Sequence, residues 1–397
     1  MSSGIGVVRL AESPLDAASC QIQILRGERE ILRLWPRIAK LHRDVGALPE
    51  VNAVQHFFCL SRLRDCAPII LAAWHSNQLV GVVYAGEPHS WGLPVGVVAV
   101  GYASERETVV ARDAHVTQVL DAALRRLAGC SFYHTIYVRD RSSAGDRLAE
   151  VLGAIPSICC PDRRIESTHT LLLRDSFESL LNTFGRRTRR NLTYYRRRAA
   201  RAGIEFQHGL SSKDVRNACL HLAARQRTSH YSGRQLLTHL RALNQMPGSL
   251  WYGLRTSAGE WLSLIGGWRR GETAYVVFQL NNSNAAYDQI SISVVSRSYL
   301  VEELIRVGVR KLEFMGGCQG LLEPYCVKES WCCAVIEKTT WAATAIRTVG
   351  RQMLKAGAYW HARNWAVQYR RIRLRGPHIW DRFTVLMTRA DAHRSLT

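Results

Sequence analysis

The sequence predicts a mixed α/β chain, α+β in its sheets, built as two tandem units and ending in a basic helical tail. Three observations carry this reading. At 397 residues the chain exceeds what one ordinary hydrophobic core holds. The order helix, hairpin, helix, strand occurs twice along it, the pattern of an internal duplication. After Ile346, eleven Lys and Arg stand against only Asp381 and Asp391. The units are expected over 20–165 and 166–345, with a linker helix at 176–202 and the tail at 346–397.

In the first unit, Ile31, Leu32, Leu34, Trp35, Ile38 and Leu41 recur at helical spacing and predict a helix over 28–43. PIILAAWHSNQLVGVVYAG (68–86) holds two apolar runs around His75-Ser76-Asn77, the signature of a hairpin. Val116, Val119, Leu120, Ala123, Leu124 and Leu127 form one stripe of a helix at 112–128, and FYHTIYV (132–138) is the closing strand.

The linker helix starts at a cap region, Ser176 with Ser179, and stops at Gly203. Leu181, Phe184, Thr188, Leu192, Tyr195 and Ala199 share one face, and eight arginines between Arg186 and Arg201 take the rest. Helices are expected at 213–228 and 234–245. A strand run follows at 249–282, turning at Ser257-Ala258-Gly259 and Arg269-Arg270-Gly271. A helix at 292–307, the strand KLEFM (311–315) and a strand at 332–338 complete the unit. Trp360, Trp365, Tyr369 and Trp380 lie among the cations of the tail, a pattern suited to an interfacial or a packed helix.

The composition, 47% hydrophobic and 21% charged, is globular. Apolar runs such as VGVVAVGY (95–102) are too short to cross a bilayer, and the N-terminus lacks the pattern of a signal peptide. These features predict a cytoplasmic protein, membrane-peripheral at most. The eleven cysteines include no C-x-x-C pair, so reduced thiols and no metal are expected. The formal charge of +21 is concentrated in the linker helix and the tail. Both segments suit phosphates, whether of tRNA, an anionic membrane or a phosphorylated substrate, and both suit plain solvation.

Three segments, in this order, resemble the double-GNAT acyltransferases of the FemAB-like and CelD-like branch. FGRRTRRNLTYYRRRAARAGIEF is similar to the Arg/Lys-rich helix that opens the family's second domain. YVVFQLNN resembles its central strand. The long helix, Gly308, KLEFMGG and K-E-S-W resemble the ending G-x-x-x-x-D-F-G-G followed by K-x-x-[FW]. The resemblance covers about 166–340. Where the family carries a glycine-bearing turn before the long helix, this chain reads DQISIS, and Glu313 replaces the family's aspartate.

The resemblance implies two fused GNAT folds with the active cleft in the second. It also implies an acyl donor, acetyl-CoA or a longer acyl-CoA, and an acceptor amine or hydroxyl; the FemAB alternative takes its acyl group from aminoacyl-tRNA. A fold that kept only anionic binding is the non-catalytic alternative. The chemistry needs a base for the amine, a fixed donor for the oxyanion and free amides for phosphate. Mapped onto this chain, Glu313 is the candidate base or amine-orienting group, Lys328 a contact to phosphate or acyl group, and Tyr325 an acid for the leaving thiolate. Gln279, Leu280 and Asn281 offer backbone amides to the oxyanion, and Ser291, Ile292 and Ser293 open the helix toward the cofactor's phosphates. His230, Arg189 and Arg190 are candidate substrate contacts.

Overall fold

The computed structural model describes residues 20–338 apart from 47–52, 91–92, 102–107, 141–145, 154, 156–157, 226–232, 316–317 and 319, and beyond 338 only Thr348 and Gln352. His230 and, but for those two positions, the expected tail lie outside the described residues.

The first half runs β1 (Gln21–Arg26), α1 (Gly27–Asp44), α2 (Ala53–Leu63), β2 (Cys66–His75), β3 (Gln78–Ser90), β4 (Leu93–Pro94), β5 (Val97–Val100), β6 (Val109–Ala111), α3 (Val116–Gly129), β7 (Thr135–Asp140), α4 (Asp146–Gly153) and β8 (Ile158–Leu172). The β2–β3 turn is the expected one. Ser76 and Asn77 both hold positive φ, 48° and 64°, the backbone twist that tight hairpins require. Alternation along β2 serves two layers. Ile69, Leu71 and Ala73 face Leu120, Leu124 and Leu127 of α3, while Ile70 and Ala72 face Ile31 and Ile38 of α1 and Phe57 of α2.

The second half runs α5 (Phe177–Thr183), α6 (Arg186–Arg201), β9 (Ile204–His208), α7 (Ser212–Arg225), α8 (Gly233–Gln245), β10 (Ser249–Thr256), β11 (Trp261–Arg270), β12 (Thr273–Asn281), α9 (Ile292–Arg306), β13 (Lys311–Phe314) and β14 (Cys326–Lys338). Trp251, Leu264, Trp268 and Tyr275 bury one sheet face against α7 and α8. Tyr252, Ile265, Ala274, Leu312 and Phe314 bury the other against α5, α6 and α9. At roughly 2 kcal/mol for each large side chain removed from water, these two layers fix the direction in which every residue of β12 and β13 points.

The single linker helix expected over 176–202 is two helices. Ser176 does cap the first, its hydroxyl accepting from the Ser179 amide at 3.0 Å, and Gly203 stops the second in the left-handed region (φ 65°). Between them Phe184 and Gly185 are extended. The cause is distant in sequence: Phe184 is buried with its ring centroid 4.4 Å from that of Tyr325, and the Gly185 amide donates to the Tyr325 hydroxyl at 2.9 Å.

All strands join one mixed sheet in the order β1-β2-β3-β5-β7-β14-β8-β13-β12-β11-β10-β9, with β4 and β6 also on β3. The two halves are interleaved at its middle. β14, late in the chain, lies antiparallel between β7 (Cys332 opposite Asp140) and β8 (Cys326 opposite Leu171). β8 in turn pairs with β13, Leu172 opposite Lys311, and carries residues on both sides of position 165. The strand expected at 332–338 is therefore longer, starting at Cys326. Among the described residues no helix is long and apolar enough to cross a membrane.

Candidate active site

β12 and β13 are parallel and pair from Thr273–Lys311 to Val276–Phe314, with a last bond from the Met315 amide to the Val276 carbonyl at 3.0 Å. There they part. The register of β12 on β11 skips Val277 opposite Gly266 and Gly267, a β-bulge that turns the strand away from β13. Gly267 is required at this point, because a Cβ there would lie 1.9 Å from the Tyr275 carbonyl oxygen. Beyond the bulge β12 keeps β11 on one edge as far as Asn281 opposite Ser263. Among the described residues no strand pairs with its other edge from Val277 to Asn281. That edge holds Gln279, Leu280 and Asn281, the positions expected to offer amides.

α9 crosses this side of the sheet, with Ile292 and Val295 of its first turns packed with Leu262 of β11. Ser291 precedes it with φ 54° and ψ 61°, the left-handed conformation that glycine usually supplies. DQISIS therefore lacks a glycine letter yet makes a glycine-like turn. The Ser291 carbonyl accepts from Val294 and Val295 at 2.9 and 3.1 Å, and its hydroxyl makes no capping bond. The amides of Ile292 and Ser293, in the first turn, have no acceptor within the helix by its geometry.

A chain of polar side chains ties α9 to the open edge. Arg297 donates through Nε to Gln279 Oε1 at 2.9 Å, and Gln279 Nε2 donates to Asn281 Oδ1 at 3.0 Å. Ser263 also donates to Asn281 Oδ1, at 2.9 Å, and lies 3.0 Å from the Ser296 hydroxyl. Ser263 has one hydrogen and gives it to Asn281, so Ser296 is the donor to Ser263. The Arg297 guanidinium sits 5.4 Å from the centre of the Phe314 ring and donates to Cys318 Sγ at 3.9 Å. Sequence reasoning passed over Arg297 and Cys318; an arginine between Ser296 and Ser298, in the first half of α9, was the signal available.

The remaining predicted residues fall in three places. Glu313 lies between Leu312 and Phe314, whose side chains face α9, so strand alternation turns it to the α7/α8 face beside Tyr275 and Thr170. Lys328 is exposed on β14, its Nζ 3.6 Å from Glu323 Oε1. The same carboxylate lies 3.8 Å from Nε2 of His169, the β8 neighbour of both Phe314 and Lys328 and a residue the sequence did not single out. Tyr325 accepts from Gly185 and spends its one hydrogen on Thr188 Oγ1 at 3.0 Å, at the head of α6. Arg190 is exposed on α6, and Arg189 donates to Asn182 at 3.3 Å. No three metal-ligating side chains converge among the described residues.

A parallel strand pair that opens at a bulge, with the intervening helix linked to the open edge through Arg297, resembles the cleft of GNAT acyltransferases. Residues 186–325 match the family model of the "Acetyltransferase (GNAT) domain". Over that stretch the chain is similar to GNAT acetyltransferases. The crystal structure of FemX is similar in fold, with a TM-score of 0.52 at 10% identity over 74% of this chain and 94% of that one. A tandem GNAT protein from the clavulanic acid biosynthesis pathway aligns at 0.49 and 10% identity over 81% of this chain and 99% of that one. L-PGS from Bacillus licheniformis aligns at 0.46 and 11% identity over 80% and 96%. No curated protein matches the chain.

Proposed function

We propose that the protein is an acyl-CoA-dependent acyltransferase, most simply an N-acyltransferase, acting on an amine or hydroxyl of a small-molecule, sugar or lipid-precursor acceptor in the cytoplasm. The observation that carries this reading is the open edge of β12 from Val277 to Asn281, which α9 reaches through the bond from Arg297 to Gln279. The thioester of acetyl-CoA or a longer acyl-CoA lies along that edge. A backbone amide between Gln279 and Asn281 receives the carbonyl oxygen as its charge develops. The first-turn amides of α9, with Ser291, Ile292 and Ser293, hold pyrophosphate at the positive end of the helix dipole. Glu313, on the opposite face, takes the proton of the attacking amine. The C–N bond forms, the C–S bond breaks, and the thiolate leaves to be protonated by water. Lys328 contacts the acceptor or the acyl group from the rim.

The test is a panel of acyl-CoAs read by thiol release, with thermal unfolding alongside. Donor at about 100 times its dissociation constant adds roughly 2.7 kcal/mol to stability. Absence of both release and stabilisation with every acyl-CoA would overturn the proposal.

One observation favours a second reading, transfer from aminoacyl-tRNA. Arg186, Arg187, Arg190, Arg197 and Arg201 are exposed along α6 and have no acidic partner among the described residues. Arg196 pairs with Glu302 and rests 4.2 Å from the Tyr299 ring centre, anchoring the helix on α9 and leaving the other arginines outward. Guanidinium groups so placed suit phosphates. Under this reading tRNA binding falls steeply with salt, by about 0.7–0.9 in log K per log unit for each phosphate contacted. Flat salt dependence, or transfer from acyl-CoA without tRNA, removes it.

A further inference from the structure

We infer that Cys318 and Cys326 form a modification site, a dithiol on the wall of the cleft that a small peroxide oxidises to a reversible disulfide. Cys318 follows the end of β13 and is fully buried; Cys326 opens β14 and is partly exposed. Both side chains sit in one packed cluster, and each thiol lies close enough to the other to act on its titration, so the two sulfurs are neighbours. Arg297 brings its guanidinium to Cys318 Sγ at 3.9 Å, and Cys326 Sγ faces the Leu322 carbonyl at 3.4 Å.

Cys318 stands apart from the other described thiols. The hydrogen bond from Cys326, with Arg297 beside it, holds Cys318 below the ordinary thiol range despite burial. Burial instead pushes Cys66 up to about 11 and Cys219 up to about 12, and raises Cys59 as well. The thiolate is the reactive form, so chemistry concentrates at Cys318.

The step balances with hydrogen peroxide as the two-electron oxidant. The Cys318 thiolate attacks one peroxide oxygen, forming S–O as O–O breaks, and the departing hydroxide takes the proton that Cys318 released. The Cys326 sulfur then attacks the sulfenic sulfur. The S–S bond forms, and the hydroxyl leaves with the Cys326 proton as a second water. Two thiols lose two electrons and peroxide becomes two waters. The disulfide takes from Arg297 its sulfur acceptor, and Arg297 holds Gln279 on the open edge of β12.

The full chain is treated with graded hydrogen peroxide and mapped by peptide mass spectrometry, with and without a dithiol reductant. A Cys318–Cys326 bond is expected at lower peroxide than any other cysteine modification, and reduction reverses it. Cys326→Ser is expected to stop at a Cys318 sulfenic acid that dimedone traps; Cys318→Ser forms no bond. Arg297→Gln raises the Cys318 thiol and slows its oxidation, by less than about tenfold per unit because nucleophilicity rises as the thiolate fraction falls. The inference is overturned if other cysteines oxidise first, or if Cys318 passes to sulfinic acid without the bond. Loss of acyl transfer on oxidation, restored by reductant, rests on the acyl-CoA reading. The thiol map does not, so the two fail separately.

Discussion

Replacing Tyr325 by phenylalanine separates two roles that this residue type can play beside a thioester. As an acid for the leaving thiolate it would need its proton free; instead it donates that proton to Thr188 while accepting from the Gly185 amide, at 3.0 and 2.9 Å. The change keeps the ring packed on Phe184 and removes both bonds. Each is worth about 1 kcal/mol, and Gly185 is exposed to water that can replace one partner, so the loss is about 1–2 kcal/mol. Urea unfolding should show a lower midpoint at unchanged slope, because the exposed surface does not change. Thiol release should fall by less than about tenfold, whereas losing a general acid costs about 100- to 10,000-fold. A fall of about 100-fold at an unchanged midpoint would refute the assignment of Tyr325 to the head of α6.

Gly267→Ala should prevent the bulge, since the new methyl meets the Tyr275 carbonyl oxygen at 1.9 Å; loss of soluble, cooperatively unfolding protein is expected, and a normal melting curve would contradict it. Glu313→Gln and Lys328→Ala should each lower turnover while leaving the unfolding free energy within about 0.5 kcal/mol, as for other surface or half-buried exchanges; normal turnover in both would move the site elsewhere. His42 is lowered to about 4 by burial, with Arg270 adding to the effect, and its Nε2 lies 2.7 Å from the Tyr84 hydroxyl. The unfolded chain then binds its proton first, so stability holds above pH 6.5 and falls by about 3 kcal/mol as pH drops from 6.5 to about 4. His42→Gln should flatten that part of a stability–pH profile, and an unchanged slope would show that other groups cause it.

Elements governed by neighbours in sequence were legible. The stripes of α1 and α3, the Ser76-Asn77 turn and the helix–Gly308–strand order around α9 and β13 all follow from local spacing. The break at Phe184-Gly185 was not, because its cause is Tyr325, far along the chain. Ser291 shows the same limit differently: only the backbone reveals that serine holds the glycine-like turn. Gln279 and Asn281 lie on the open edge of β12, where the pairing with β13 has ended. The link from Arg297 through Gln279 depends on how α9 lies across β12, which no spacing in either segment specifies.

The position of β14 between β7 and β8 also bears on how the protein comes to exist. Cys332 finds its partner at Asp140, so the edge of β7 has no neighbour on that side until the far end of the second half emerges from the ribosome. At about 5–20 residues per second, that interval lasts roughly ten seconds or more. A bare strand edge backed by Ile136 and Val138 is a surface on which other nascent chains can pair. The first half thus waits, open on one side, for that strand, and the same pairing that completes its sheet brings Cys326 and Lys328 to their places.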